Sequence, residues 1–202
     1  IMKRIITTGG YVMAYREAMM TDARKWGEAV FSDSIRMLEA EYQKTDRRDA
    51  VVQAFAELFG QWGEHTSKEA ACLGVCYLHS SILMRTGGIR LALFGKEFYM
   101  DENQLEKTWQ PPCFFQQYEQ DISAVMDRLR KEYPRIYPYE EDAVRFWYAE
   151  YYYAALETLC RDMLGEIRES REYCMLNKTE DFFIFFGRWR GEAEKLACIE
   201  DI

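Results

Sequence analysis

The sequence predicts a mainly α protein, a five- or six-helix bundle in a single domain over residues 1–202, with one β-hairpin inserted at about 89–101. Three observations predict it. Apolar residues recur at alternating spacings of three and four, as in Phe115, Tyr118, Ile122, Val125, Leu129 and Tyr133. Only 4 Pro and 12 Gly interrupt 202 residues, which leaves little room for linkers. The period changes to two in just one place, IRLALFGKEFYMDE, after Gly87 and Gly88.

Taken in order, a first helix from about Tyr11 to Tyr42 has an apolar face through Val12, Tyr15, Met19, Trp26, Val30, Ile35 and Leu38, with Gly27 and Ser32 to Ser34 as points where it can kink or split. Thr45 or Asp46 caps a second helix, whose face runs through Val51, Val52, Phe55, Leu58, Phe59 and Trp62. A third helix, capped by Thr66 or Ser67, continues through Ala70, Leu73, Tyr77, Ile82 and Leu83 to the Gly87–Gly88 stop. In the hairpin, Gly95 and Lys96 form the two-residue loop, Leu93 faces Phe98, and Arg90 faces Asp101 as a cross-strand ion pair. Pro111 and Pro112 open a fourth helix that Pro134 ends. A last helix is capped by Thr179, and Phe182, Phe186, Trp189, Ala193 and Leu196 form its core face.

The helix expected at the centre is Ala143 to Leu164, where Phe146, Trp147, Tyr148, Tyr151, Tyr152 and Tyr153 cover most of the circumference. Glu150, Ala154, Glu157 and Arg161 make the narrow polar stripe. Between Tyr148 and Tyr151, Glu150 has the surroundings in which a carboxyl pKa rises, although its place on the solvated stripe is the simpler account. Trp147, Tyr148, Glu150 and Tyr151 are therefore candidates for a ligand pocket, with His79 and Arg85 as the nearest useful polar groups.

Cys72, Cys76 and His79 stand at i, i+4 and i+7, on one face of the predicted third helix. Thiolates and imidazole suit zinc, but one helix cannot complete a tetrahedron, and buried free thiols explain the pattern without metal. These three are the only metal candidates, and no metal or other cofactor is expected. Six cysteines without a CxxC pair, and no apolar run of signal-peptide or membrane-spanning length, point to the cytoplasm.

The segment AELFGQWGEHTSKEAACLGVCYLH resembles the helix-turn-helix of TetR-type regulators, with Ala70, Gly74 at the turn, then Val75 and Tyr77. That resemblance implies DNA binding coupled to a helical ligand domain. A recognition helix from Val75 to Arg85 would offer DNA little besides Arg85, and a net charge of −8 also argues against nucleic acid as a partner.

The function expected is that of a cytosolic module that binds a protein partner or a small hydrophobic or aromatic ligand. It is expected to form homo-oligomers through excess aromatic surface at Phe183, Ile184, Phe185, Phe94 and Tyr99. One alternative is an enzyme that uses Glu150 with His79 or Arg85 in an aromatic-lined pocket. The other is the helix-turn-helix transcriptional regulator.

Overall fold

The computed structural model describes the backbone of residues 2–198 and the side chains of residues 15–196. Val12 and Cys198, both read from the sequence, have side chains outside that range. In chain order the elements are α1 (Met2–Tyr42), α2 (Thr45–His65), β1 (Ala70–Tyr77), α3 (His79–Leu83), β2 (Ile89–Phe94), β3 (Leu105–Trp109), α4 (Phe114–Glu132), α5 (Pro138–Asp162), α6 (Leu164–Glu169), α7 (Arg171–Met175), β4 (Lys178–Arg188) and β5 (Ala193–Cys198). The strands form one five-stranded sheet in the order β3-β2-β1-β4-β5. The fold is therefore α/β, and the expectation of a helical bundle with one hairpin is wrong.

The helices expected over α1, α2, α4 and α5 are present. The first does not split: α1 runs unbroken through Gly27 and Ser32 to Ser34. A Cβ at Gly27 would stand 2.9 Å from the Trp147 ring, so this glycine allows α5 to approach α1 closely. The inward faces of α4 and α5 read as predicted, with Tyr118, Ile122, Val125 and Leu129 buried against Tyr148, Tyr152 and Leu156.

Three segments differ. The third predicted helix is mostly the central strand β1, followed by the short α3. β1 pairs antiparallel with β2 and parallel with β4, so both of its edges and both of its faces are covered. A strand in that position carries small and apolar residues throughout and shows no alternation, which removes the period-two signal. Gly74 belongs here because a Cβ would meet the Phe185 ring at 2.5 Å. A strand at this position also rules out the helix-turn-helix.

The predicted hairpin is half right. β2 exists, but it pairs with β1 and β3, so Leu93 faces Leu73 and Leu105, not Phe98. Residues Phe98–Met100 form a 3-10 turn instead of a strand. The predicted Arg90–Asp101 ion pair is replaced by Arg90–Glu106 at 2.6 Å and Lys68–Asp101 at 3.4 Å. An isolated hairpin exposes its outer edges, and pairing with the long central strand removes that cost.

The predicted last helix is the hairpin β4–β5, and the supposed cap Thr179 lies inside β4. Phe182, Ile184 and Phe186 point into the main core with the helices. Phe185 lies on the other face of the sheet with Cys72, Cys76, Ala92 and Phe94. Five consecutive apolar residues from Phe182 to Phe186 thus serve two layers from one strand, each fully buried one contributing roughly 1.5–3 kcal/mol.

Candidate functional site

Helices α1, α4 and α5 enclose a buried polar node around Asp121, which is 3% exposed. Its Oδ1 accepts from Ser34 Oγ at 2.7 Å and from Gln117 Nε2 at 3.0 Å. Its Oδ2 accepts from the phenols of Tyr148 and Tyr152, each at 2.7 Å. Burial, and then hydrogen bonding to the carboxylate, push both phenol pKa values far up, so the two tyrosines act as fixed donors. Among the described residues, four neutral donors and no cation surround this carboxyl group, an arrangement suited to fixing the three helices in register.

Beside the node, between α1 and α5, lies an open cavity of about 300 Å³. Its walls are Phe31, Ile35, Leu38, Tyr42, Phe114, Tyr151, Ala154, Ala155 and Leu159. Phe31 separates it from the node, with its ring centroid 5.2 Å from Tyr151 and 5.5 Å from Tyr152. The polar lining, Glu39, Gln43, Arg48, Thr158 and Asp162, comes from the ends of α1 and α5 and the start of α2. Arg48 is held by Glu166, with Nε donating to Oε1 at 2.9 Å, and Tyr42 donates to the Pro112 carbonyl at 2.7 Å. The polar end is therefore anchored before anything binds.

The chain matches no family model, no curated protein and no solved structure. What it can do rests on this geometry.

Of the pocket candidates read from the sequence, Tyr151 lines this cavity, and Trp147 packs on it at a centroid distance of 5.3 Å. Tyr148 belongs to the Asp121 node. Glu150 is solvent-exposed and lies at a separate opening with Tyr77, Tyr153 and Glu157. His79 is stacked on Tyr77 at 6.1 Å and also faces Phe146, whereas Arg85 is paired with Glu141 at 3.2 Å. Among the described residues no hydrogen bond or ion pair joins Glu150 to His79 or Arg85. Tyr77 stands between Glu150 and His79: its pKa is raised by burial first and by the Glu150 carboxylate second.

The interface candidates Phe94, Tyr99, Phe183 and Phe185 instead meet one another on the outer face of the sheet, and Ile184 is in the main core. Cys72 and Cys76 share a strand face, and burial pushes both thiols up to about 12. His79 lies beyond the strand end, so the helical face proposed for zinc does not exist. No group of three His, Cys, Asp or Glu among the described residues is placed to hold a metal. No helix among them is long and apolar enough to cross a membrane.

The Asp121 node went unread although one signal was legible. Tyr118, Asp121, Ile122 and Val125 stand at i, i+3, i+4 and i+7, which puts a carboxylate on the inward face of a helix otherwise apolar there. A carboxylate in that position needs donors, and Tyr148 and Tyr152, four apart on α5, supply them.

Proposed function

We propose that this protein is a cytosolic binding module for a small, largely apolar or aromatic molecule, held in the cavity between α1 and α5. The observation that carries this reading is the about 300 Å³ opening with an aromatic and aliphatic wall and a polar end. Glu39, Asp162 and Thr158 at that end favour a ligand with an amine or another hydrogen-bond donor. The unpaired thiols of Cys72, Cys76, Cys113, Cys160 and Cys174 support a reducing compartment.

The test is titration with N-phenyl-1-naphthylamine, an apolar amine that fluoresces when removed from water. Saturable enhancement is expected for the wild type and its loss for Ala155→Trp, which fills the cavity, with the circular dichroism of the two unchanged. Equal enhancement in both proteins rejects the cavity as the site. Native mass spectrometry of the purified protein reports any retained molecule and the subunit number in one spectrum.

A further inference from the structure

A further opening of about 390 Å³, away from the α1–α5 cavity, lies between α4, the start of α5 and the turn after α3. Arg85, Arg130 and Arg145 all line it, together with Glu119, Glu141 and Ser123, over an apolar floor of Ile122 and Met126. Three guanidinium groups facing one cleft stand out in a chain of net charge −8.

Their hydrogen bonds are incomplete where it costs most. Arg145 is 2% exposed, yet among the described residues its only side-chain acceptor is Glu119, reached through Nη2. Its Nε–H is buried and has no partner. A guanidinium has five N–H donors, and a buried charge left partly unsatisfied is expensive. The side chain is held in place by its cation–π contact with Tyr118, 5.6 Å to the centroid, and Tyr118 in turn donates to the Arg145 carbonyl at 2.8 Å. Glu141 bridges the other two arginines, with Oε1 3.2 Å from Arg85 and Oε2 3.0 Å from Arg130. Arg130 also reaches Asp127 at 3.3 Å, an exposed pair that is worth little.

Arg85 itself has a positive φ of 55°, a backbone conformation unfavourable for a residue with a Cβ. Arg85 and Glu119 also line an adjoining opening with Gln110, Gln116 and Thr86.

We propose that this arginine cleft binds an oxyanion, the phosphate or carboxylate group of a small polar molecule, and that Glu141 occupies the Arg85–Arg130 pair in its absence. The ligand displaces Glu119 from Arg145 Nη2 and so reaches the buried guanidinium, whose Nε–H has no partner among the described residues. The remainder of the molecule extends toward Gln110 and Gln116.

Inorganic phosphate is the probe, titrated into uniformly labelled full-length protein at constant ionic strength while the arginine Nε–H resonances are followed by NMR, with sodium acetate as a parallel arm. The Arg145 Nε–H is expected to shift saturably. Arg85→Ala and Arg130→Ala, both changes at exposed side chains, are expected to weaken binding about tenfold, or about 1.4 kcal/mol. Glu141→Gln, which removes the internal competitor, is expected to tighten it. Saturable binding that Arg85→Ala and Arg130→Ala weaken and Glu141→Gln tightens is not expected of a purely structural ion-pair network. Saturation by acetate alone assigns the site to carboxylates, and saturation by phosphate assigns it to phosphate groups. Shifts that follow ionic strength only, or a Glu141→Gln protein that binds no more tightly than wild type, overturn the proposal.

Discussion

Tyr148 and Tyr152, one turn apart on α5, both donate to a single oxygen, Oδ2 of Asp121, at 2.7 Å each. Asp121→Ala would leave the two phenols and the Ser34 hydroxyl without their acceptor in a closed interior, while Gln117 would keep Ser34 Oγ at 3.1 Å. A destabilisation of about 3–5 kcal/mol is expected, read as a lower urea midpoint. Tyr148→Phe removes one donor of four and is expected to cost about 1–2 kcal/mol. A Tyr148→Phe cost as large as that of Asp121→Ala would contradict this apportioning and show that the node acts as a single unit.

Burial pushes the thiols of Cys72, Cys76 and Cys160 from 9.0 up to about 12. The folded state therefore holds these protons more tightly than the unfolded chain. Their contribution is complete below about pH 9 and is lost as pH rises through about 12, and the raised phenols of Tyr148 and Tyr152 act in the same direction. The denaturant midpoint is expected to fall steadily from pH 9 upward. A flat profile to pH 11 would contradict it.

The same burial predicts thiol selectivity. Cys174 is exposed, whereas Cys72, Cys76 and Cys160 are buried. Iodoacetamide at pH 8 is expected to label Cys174 within minutes and the three buried thiols only on unfolding, as read by peptide mass spectrometry. Early labelling of Cys76 would place β1 at the surface.

Close approach makes two glycines sensitive. Gly27→Ala pushes against the Trp147 ring, and Gly74→Ala against the Phe185 ring, where a Cβ would come within 2.9 Å and 2.5 Å respectively. Each is expected to destabilise by about 1–3 kcal/mol, outweighing the better helix propensity of Ala at position 27. Gly63 has open space around it and is the control, since Gly63→Ala is expected to be neutral or stabilising by up to about 1 kcal/mol.

At the amino end of α5, buried Glu140 accepts a hydrogen bond from the Tyr137 N–H at 2.8 Å. Glu140→Ala is expected to cost about 1 kcal/mol by freeing that N–H, and a thermal melt unchanged from wild type would dismiss the cap.

The sequence by itself determined α2, α4 and α5, because the signals there are local. Periodic apolar faces and Pro134 beyond α4 act over a few residues and need no partner, although α5 begins at Pro138, five residues before the expected Ala143.

Only the tertiary structure decided the sheet. Ala70 to Tyr77 and Phe182 to Phe186 are covered on both faces, so neither segment alternates, and a continuous apolar run reads equally well as a helix. What makes β1 a strand is its parallel pairing with β4, in which Leu73 stands beside Ile184 and Val75 beside Phe186. Those partners are more than 100 residues apart in the chain. The Asp121 node and the arginine cleft depend on the same kind of information: each joins side chains from helices that meet only after the chain has folded, and no spacing within one helix records which donors a buried carboxylate will find.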